Sequence, residues 1–334
     1  MIIKRKKALS LLVLIALALM YFLGPTPSMK PIEKELPVVP ADLGQLNQWI
    51  TEKEAKLPVR EGCEAQIIWA NDSLKEKTKV AVVYLHGFSS SHQEGNPAHL
   101  ALAKSLGANL YLSRLHKHGL AEPKPLKSMT ADGLIKTAQE ALAIGRQLGE
   151  EVILVGTSTG GTLALQLAAM YPDIKALILY SPNIRIADQT SMLLNNPWGL
   201  RIARLFFGGK YRQYEAEYPV NQYWDTRYRL EALVQLEELL SNTMVKSTFQ
   251  KVEQPVFMGY YYRDEAHQDQ VVSVAAMRDM FKQLGTPVAL KVDQPFPDAN
   301  DHVIASKHKT DHYPEVIKAT KTFVTEKLGY EIEQ

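Results

Sequence analysis

This chain of 334 residues is short of cysteine, of one-sided charge and of long apolar runs. Its single cysteine, Cys63, excludes an internal disulfide framework and a thiolate zinc site. Cys63 reads as a half-buried small hydrophobe. The 38 basic and 36 acidic side chains nearly cancel, leaving +2. No basic stripe is interleaved with aromatics, so no nucleic-acid partner is expected. His116 and His118 stand two apart with no neighbouring carboxylate, a poor basis for metal binding, and read as loop residues. With 46% hydrophobic and 22% charged residues, the chain has ordinary globular composition. Its length suits one large α/β domain with an insertion, or two domains.

One apolar run does occur. Lys4, Arg5, Lys6 and Lys7 precede Ala8 to Leu23, about sixteen residues against the roughly 20 of a full span. No Ala-x-Ala cleavage site follows, and Tyr21 and Phe22 read as interfacial aromatics. Residues 1–24 are therefore expected to be an uncleaved N-terminal membrane-anchor helix, with membrane contact through residues 8–23. The alternative is a cleaved secretory signal. The positive-inside rule sends the remainder out of the cytoplasm, to the periplasmic side in a bacterium; a cleaved signal would release it as a secreted protein. Residues 25–60 follow as a stiff, proline-rich linker (Pro25, Pro27, Pro31, Pro37, Pro40) and a lead-in helix over Asp42 to Lys56.

The most informative stretch is Glu151 to Met170. Val152 to Val155 suits a fully buried strand and Leu163 to Met170 a helix packed on it. Between them lies Gly156-Thr157-Ser158-Thr159-Gly160-Gly161. Gly-x-Ser-x-Gly between strand and helix is a nucleophile elbow, a turn so sharp that the serine hydroxyl is presented on strained backbone. Gly156 and Gly160 are needed because a Cβ there would strike neighbouring backbone. The helix turns its N–H groups and positive dipole end toward an oxyanion. The other oxyanion donor in such sites comes from the loop after an early strand. Here Val80 to Leu85 runs into His86-Gly87-Phe88, so the backbone N–H groups of Phe88 and Thr159 are the expected pair. His86 reads as a structural histidine that holds the loop.

Further strands are expected at Ala65 to Ala70, paired with Val80 to Leu85 as a hairpin, and at Asn109 to Leu112, Ile174 to Tyr180, Pro255 to Tyr262 and Val288 to Val292. Helices are expected at Pro97 to Leu106, Thr130 to Leu148, Val274 to Leu284 and Tyr313 to Leu328. This alternation implies a mostly parallel sheet flanked by helices. It breaks between 184 and 254, where helical pieces (Leu193–Phe207, Leu230–Leu240) carry many aromatics, among them Trp198, Phe206, Tyr218, Trp224 and Tyr228. That segment reads as a helical cap inserted into a core formed by 61–183 and 255–330. Its aromatics read mostly as cap core, with a few lining an apolar acyl pocket.

A serine hydroxyl needs a base, and the base needs a group that holds its tautomer. His302 lies in a polar loop after the last strand, in the order serine, acid, histidine. His86, His92 and His99 precede the elbow, and His308 and His312 lie on or near the last helix. The acid should sit just past the strand that begins at Pro255. Asp264 follows that strand directly, and Asp269 is its rival.

The chain resembles the α/β-hydrolase superfamily, in its cap-bearing carboxylesterase and monoacylglycerol-lipase-like subset. The resemblance covers about Val80 to Leu328. It is carried by His86-Gly87-Phe88, Arg114 to Gly119, the elbow at Gly156 to Gly161, Pro255 to Asp264, and Asn300-Asp301-His302-Val303. Thr157 stands where many relatives have His or Tyr, and the acid loop is longer. The spacing from Pro255 in relatives favours Asp264 as the acid. The resemblance implies hydrolysis of a small acyl ester through an acyl-enzyme on Ser158, with no metal or organic cofactor. A peptidase, thioesterase or acyltransferase with the same triad is an alternative, as is a non-catalytic membrane-tethered binding protein of this fold.

Overall fold

The computed structural model describes residues 11–12, 14–16 and 18–332. At its centre is a seven-stranded sheet of β1 (Gln66–Ile68), β2 (Thr78–Leu85), β3 (Asn109–Leu112), β4 (Gly149–Thr157), β5 (Ala176–Tyr180), β8 (Val256–Tyr260) and β9 (Lys291–Pro295). Their spatial order is β1-β3-β2-β4-β5-β8-β9. Every neighbouring pair is parallel except β1 with β3. The inner strands carry continuous apolar runs because both faces are covered. In β2, Ala81, Val83 and Leu85 enter one core cluster while Val80, Val82 and Tyr84 enter the other. The first face is covered by α1 (Leu43–Ala55), α3 (Ala131–Leu148), α4 (Thr159–Met170) and α9 (Val274–Gln283); the second is covered by α2 (Ala98–Ser105) and α10 (Tyr313–Leu328).

Most elements fall where periodicity predicts them, with three corrections. The expected hairpin does not form: β1 pairs antiparallel with β3 at the sheet edge, and β2 lies between β3 and β4. An all-apolar strand such as β2 needs sheet neighbours on both sides and helices on both faces, which a hairpin at the edge would not supply. The last strand begins at Lys291, since Val288–Leu290 form a short 3-10 turn after Pro287. The proline-rich segment is no free linker. Tyr171 donates its hydroxyl to the Lys34 carbonyl (2.9 Å), Gln139 Nε2 reaches the Glu33 carbonyl (2.7 Å), and Met29, Ile32 and Leu36 pack on the core. Asp42 caps α1, accepting from the Gln45 N–H.

Between β5 and β8 the chain forms α5 (Gly199–Phe206), β6 (Tyr211–Gln213), α6 (Val220–Tyr223), β7 (Arg227–Arg229), α7 (Leu230–Thr243) and α8 (Lys246–Phe249), with β6 and β7 paired as a separate small sheet. Its aromatics do not form one core. Trp224 and Tyr228 are buried, whereas Phe206 and Tyr218 face outward.

Of the expected anchor, Lys4 to Lys7, Ala8 to Ser10, Val13 and Leu17 lie outside the described residues. The described residues from Leu11 to Phe22 are helical, and their side chains are exposed. Among the described residues no helix is long and apolar enough to cross a membrane, so the spanning helix finds no support there.

Candidate active site

The sharp turn after β4 puts Ser158 at φ 52°, ψ −117°, immediately before α4. A non-glycine residue held there costs about 1–3 kcal/mol and persists only when its surroundings impose it. They do so here. The Ser158 N–H donates to Tyr180 O (2.9 Å), and its carbonyl accepts from Gly161 (2.9 Å) and Asn183 (3.0 Å). The flanking glycines permit the close approach. A Cβ on Gly156 would sit 2.5 Å from the Gly160 carbonyl carbon, and one on Gly160 would overlap the Leu85 carbonyl oxygen. Ser158 is 7% exposed, so its hydroxyl is sheltered but reachable.

His302 lies in the loop after β9. Its Nδ1 is 2.6 Å from Asp269 Oδ2, with side-chain exposures of 11% and 0%. The other Asp269 oxygen accepts from the Val271 (2.8 Å) and Val272 (3.1 Å) N–H groups. A carboxylate fixed this way orients the imidazole and leaves Nε2 to act. Nε2 is buried and has no hydrogen-bond partner among the described residues. Burial alone would lower the His302 pKa, but the Asp269 charge and hydrogen bond outweigh it, and the net shift is upward.

Asp264 is not the carboxylate beside His302. It is half exposed and pairs with His267 Nδ1 (2.9 Å), which holds its carboxyl below the usual range. The physical reason is a small excursion in the loop. Tyr262 bridges Gln268, the Arg263 N–H donates to His267 O, and the Asp269 N–H returns to Tyr261 O (3.2 Å). Residues 263–267 are thereby looped outward with Asp264, and Asp269 re-enters beneath the end of β8.

The expected oxyanion donors lie at the same edge of the sheet. Neither the Phe88 nor the Thr159 N–H donates to any acceptor among the described residues. The loop carrying Phe88 is braced from several sides. Nε2 of His86 accepts from the Leu115 N–H (2.9 Å), which leaves Nδ1 as the donor to Gly87 O (2.8 Å). This is the structural role expected of His86, and burial holds its pKa well below the ordinary value. The Phe88 ring meets His118 and Tyr228 edge-on. Gly87 is pinched between Ser158 and Glu94, since a Cβ there would lie 3.0 Å from Ser158 Cβ and 3.1 Å from the Glu94 carboxylate.

Glu94 is the residue that sequence reasoning missed. It accepts hydrogen bonds from the Gly87 N–H and from Ser90 Oγ (2.6 Å), and Tyr84 OH, 3.3 Å away, also bonds Thr157 Oγ1 (2.9 Å). One buried carboxyl thus ties the oxyanion loop to the elbow. Burial pushes its pKa up to about 7, against the pull of Ser90 and Gly87. A signal existed: Glu94 is the lone Asp, Glu, Lys or Arg between Lys79 and Lys104. Among the described residues no group of three or more His, Cys, Asp or Glu could hold a metal ion.

The family described as "Serine aminopeptidase, S33" matches residues 76–294, more than half of the chain. The thermostable monoacylglycerol lipase of Bacillus sp. (strain H-257) is 30% identical over 103 residues, covering 31% of this chain and 40% of the lipase. The chain thus matches less than half the length of that relative. Among solved structures, one reported for LipS and LipT, two metagenome-derived lipolytic enzymes, superposes with TM-score 0.64 at 15% identity, covering 80% of this chain and 98% of that one. The monoacylglycerol lipase of Paleococcus ferrophilus gives TM-score 0.55 at 14% identity, covering 79% and 99%. Est1E of Butyrivibrio proteoclasticus, solved with ferulic acid, gives 0.53 at 19%, covering 82% and 99%. These structures share the α/β-hydrolase fold with this chain.

Proposed function

The chain belongs to the serine aminopeptidase (S33) family and is a serine hydrolase; on that premise we propose that it cleaves carboxylic esters of short to medium acyl or monoacylglycerol-like type. The observation that carries this reading is the buried Asp269–His302 pair, with the second imidazole nitrogen left without a partner. Ser158 Oγ attacks the ester carbonyl as His302 Nε2 takes its proton. Asp269 holds the tautomer and stabilises the imidazolium. The N–H groups of Phe88 and Thr159 receive the developing oxyanion. His302 then gives the proton to the departing alkoxide, leaving an acyl-enzyme on Ser158. Water, deprotonated by His302, attacks the acyl carbonyl, and the collapsing intermediate releases the acid and restores the serine.

The lipolytic relatives favour an ester over an amide, and segment 184–254 acts as the cap that shapes the acyl site. The family description favours amide hydrolysis as the second reading, with thioesterase and acyltransferase chemistry open to the same residues. We further place residues 8–23 at a membrane and the catalytic body outside the cytoplasm. The test is labelling with a fluorophosphonate followed by mass spectrometry. Label on Ser158, lost in His302→Ala, is expected. Unlabelled, folded protein would leave a binding-only α/β-hydrolase fold as the better account. Turnover of a monoacylglycerol against an aminoacyl nitroanilide then separates esterase from aminopeptidase.

A further inference from the structure

Helix α5 is amphipathic with its apolar side turned outward. Ile202, Leu205 and Phe206 fall at helical spacing on one face, and Leu205 and Phe206 are 83% and 82% exposed, while small Ala203 faces the protein. A helix on a globular surface normally buries such a stripe. Met192 and Leu193, in the 3-10 turn that packs beside α5, extend the exposed patch. From Gln189 to Tyr214 the chain carries four basic residues, Arg201, Arg204, Lys210 and Arg212, and no acidic one. An exposed apolar stripe flanked by arginine and lysine is the composition of a helix that lies in a lipid interface.

The second observation ties this patch to the N-terminal segment. Trp198, at the start of α5, sends its indole N–H to the Met20 and Tyr21 carbonyls (3.1 Å each). These are carbonyls at the C-terminal end of the apolar helical segment, where the Tyr21 carbonyl also accepts from the Gly24 N–H (3.0 Å). The Trp198 backbone N–H donates to Pro25 O (3.2 Å), and a Cβ on Gly24 would overlap the indole ring. Trp198 holds a left-handed backbone (φ 68°), uncommon for so bulky a residue, and Arg201 lies over its ring at 4.6 Å. Beyond Gly24, the chain is strapped to the body through Glu33 and Lys34. The end of the apolar segment is therefore fixed against α5 and does not hang on a loose tether.

We propose that the exposed apolar segment ending at Leu23 and the outward stripe of α5 form one surface, joined at Trp198, that docks on an anionic lipid bilayer. This deepens the membrane placement proposed above and rests on it. Tryptophan at the junction sits where its amphipathic ring is favoured, at headgroup depth. Arg204 is paired with Glu231 (2.9 Å), which leaves Arg201, Lys210 and Arg212 to meet anionic headgroups and makes the contact sensitive to salt. Docking in this pose sets the cap itself against the lipid.

The test uses the full chain with Phe206→Cys carrying a fluorophore. Cys63 is buried with its thiol pKa raised by burial, so the thiol reagent goes to residue 206. The protein is bound to vesicles of phosphatidylcholine and phosphatidylglycerol with brominated acyl chains. Quenching of about twofold or more at 206, weakened by salt and absent for the same label at exposed Val288, is expected for a helix seated at the acyl boundary. Vesicle-bound protein without quenching at 206 overturns the surface while leaving simple N-terminal attachment standing. Failure to bind vesicles overturns both. Self-association through the patch, seen as lipid-independent self-quenching, makes it an interface between copies and also overturns the proposal. A second readout uses Leu205→Glu with Phe206→Glu. Turnover of a vesicle-borne monoacylglycerol should fall about tenfold, with a soluble short-chain ester unaffected. An unchanged vesicle rate counts against docking, whereas a wild-type protein inactive on the soluble ester counts against the hydrolase reading alone.

Discussion

At the residue scale, the two aspartates of the acid loop make opposite predictions. Asp269→Asn should lower kcat by about 10³ to 10⁴, because the amide no longer favours the tautomer with a free Nε2. Asp264→Asn should leave kcat within about twofold of wild type, since it changes only an exposed pair with His267. Steady-state kinetics on a soluble ester checks both, and a large loss in Asp264→Asn with little in Asp269→Asn would return the acid's identity to Asp264. Glu94 supplies a pH prediction. Its folded pKa, about 7, lies above the ordinary 4.5. Its contribution to stability is therefore full below the unfolded pKa and is lost as pH rises through about 7. Glu94→Gln should raise the urea midpoint at pH 8 more than at pH 5. It also removes a negative charge that helps hold the His302 pKa up. The acid limb of kcat/KM, which reports protonation of His302, should then move to lower pH. A limb that stays in place would mean that Glu94 does not act on the imidazole.

At the element scale, the turn from β4 into α4 has no spare room. In Gly160→Ala, the new methyl would meet the backbone of Leu85 and could not be relieved by rotating a side chain. The variant should lose roughly 3 kcal/mol of stability together with its activity, read by urea denaturation and probe labelling. A stable, active Gly160→Ala would show that α4 can slide away from β2. The loop after β8 shows the limit of counting along a chain. Residues 263–267 close on themselves through Tyr262 and Gln268, so the fifth residue past Asp264 takes the position expected of Asp264. Backbone pairing within the loop decides this, and composition does not reveal it.

At the scale of the whole molecule, buried neutral histidines dominate the acid side of the stability curve. Burial lowers the pKa of His92 to about 4 and of His99 and His118 to about 3, and holds that of His86 well below the ordinary value. Each folded pKa is depressed, so the stability these groups contribute is present above the unfolded value near 6.5 and is lost as pH falls below it. Each unit of separation is worth about 1.4 kcal/mol, and the four act in the same direction from pH 6.5 to 4. Glu94 and Asp225 oppose this in the same range, because burial raises their folded pKa values to about 7 and about 6. Their contribution is full below the unfolded pKa and is lost as pH rises through the folded one. Four depressed histidines outweigh two raised carboxyls, so the urea midpoint should drop from pH 6.5 to 4. A midpoint flat across that range would mean that these histidines titrate normally in the folded protein.

The sequence by itself determined the central strands, the strained turn at Ser158 and the loop that carries His302. These rest on local signals: continuous apolar runs bounded by turns, two glycines that only close backbone approach requires, and a histidine in the polar loop after the last strand. Tertiary structure decided what depends on where distant segments meet. It paired β1 with β3, because an apolar strand seeks neighbours on both sides. It set Asp269, and not Asp264, beside His302 by folding a loop outward, and it made Glu94 a brace by burying it between Ser90, Gly87 and Tyr84. It also turned a proline-rich stretch into a strap and brought Trp198 to the end of the N-terminal apolar segment. Residues more than a hundred positions apart carry no local trace of such contacts, since only packing of the whole chain fixes their distance.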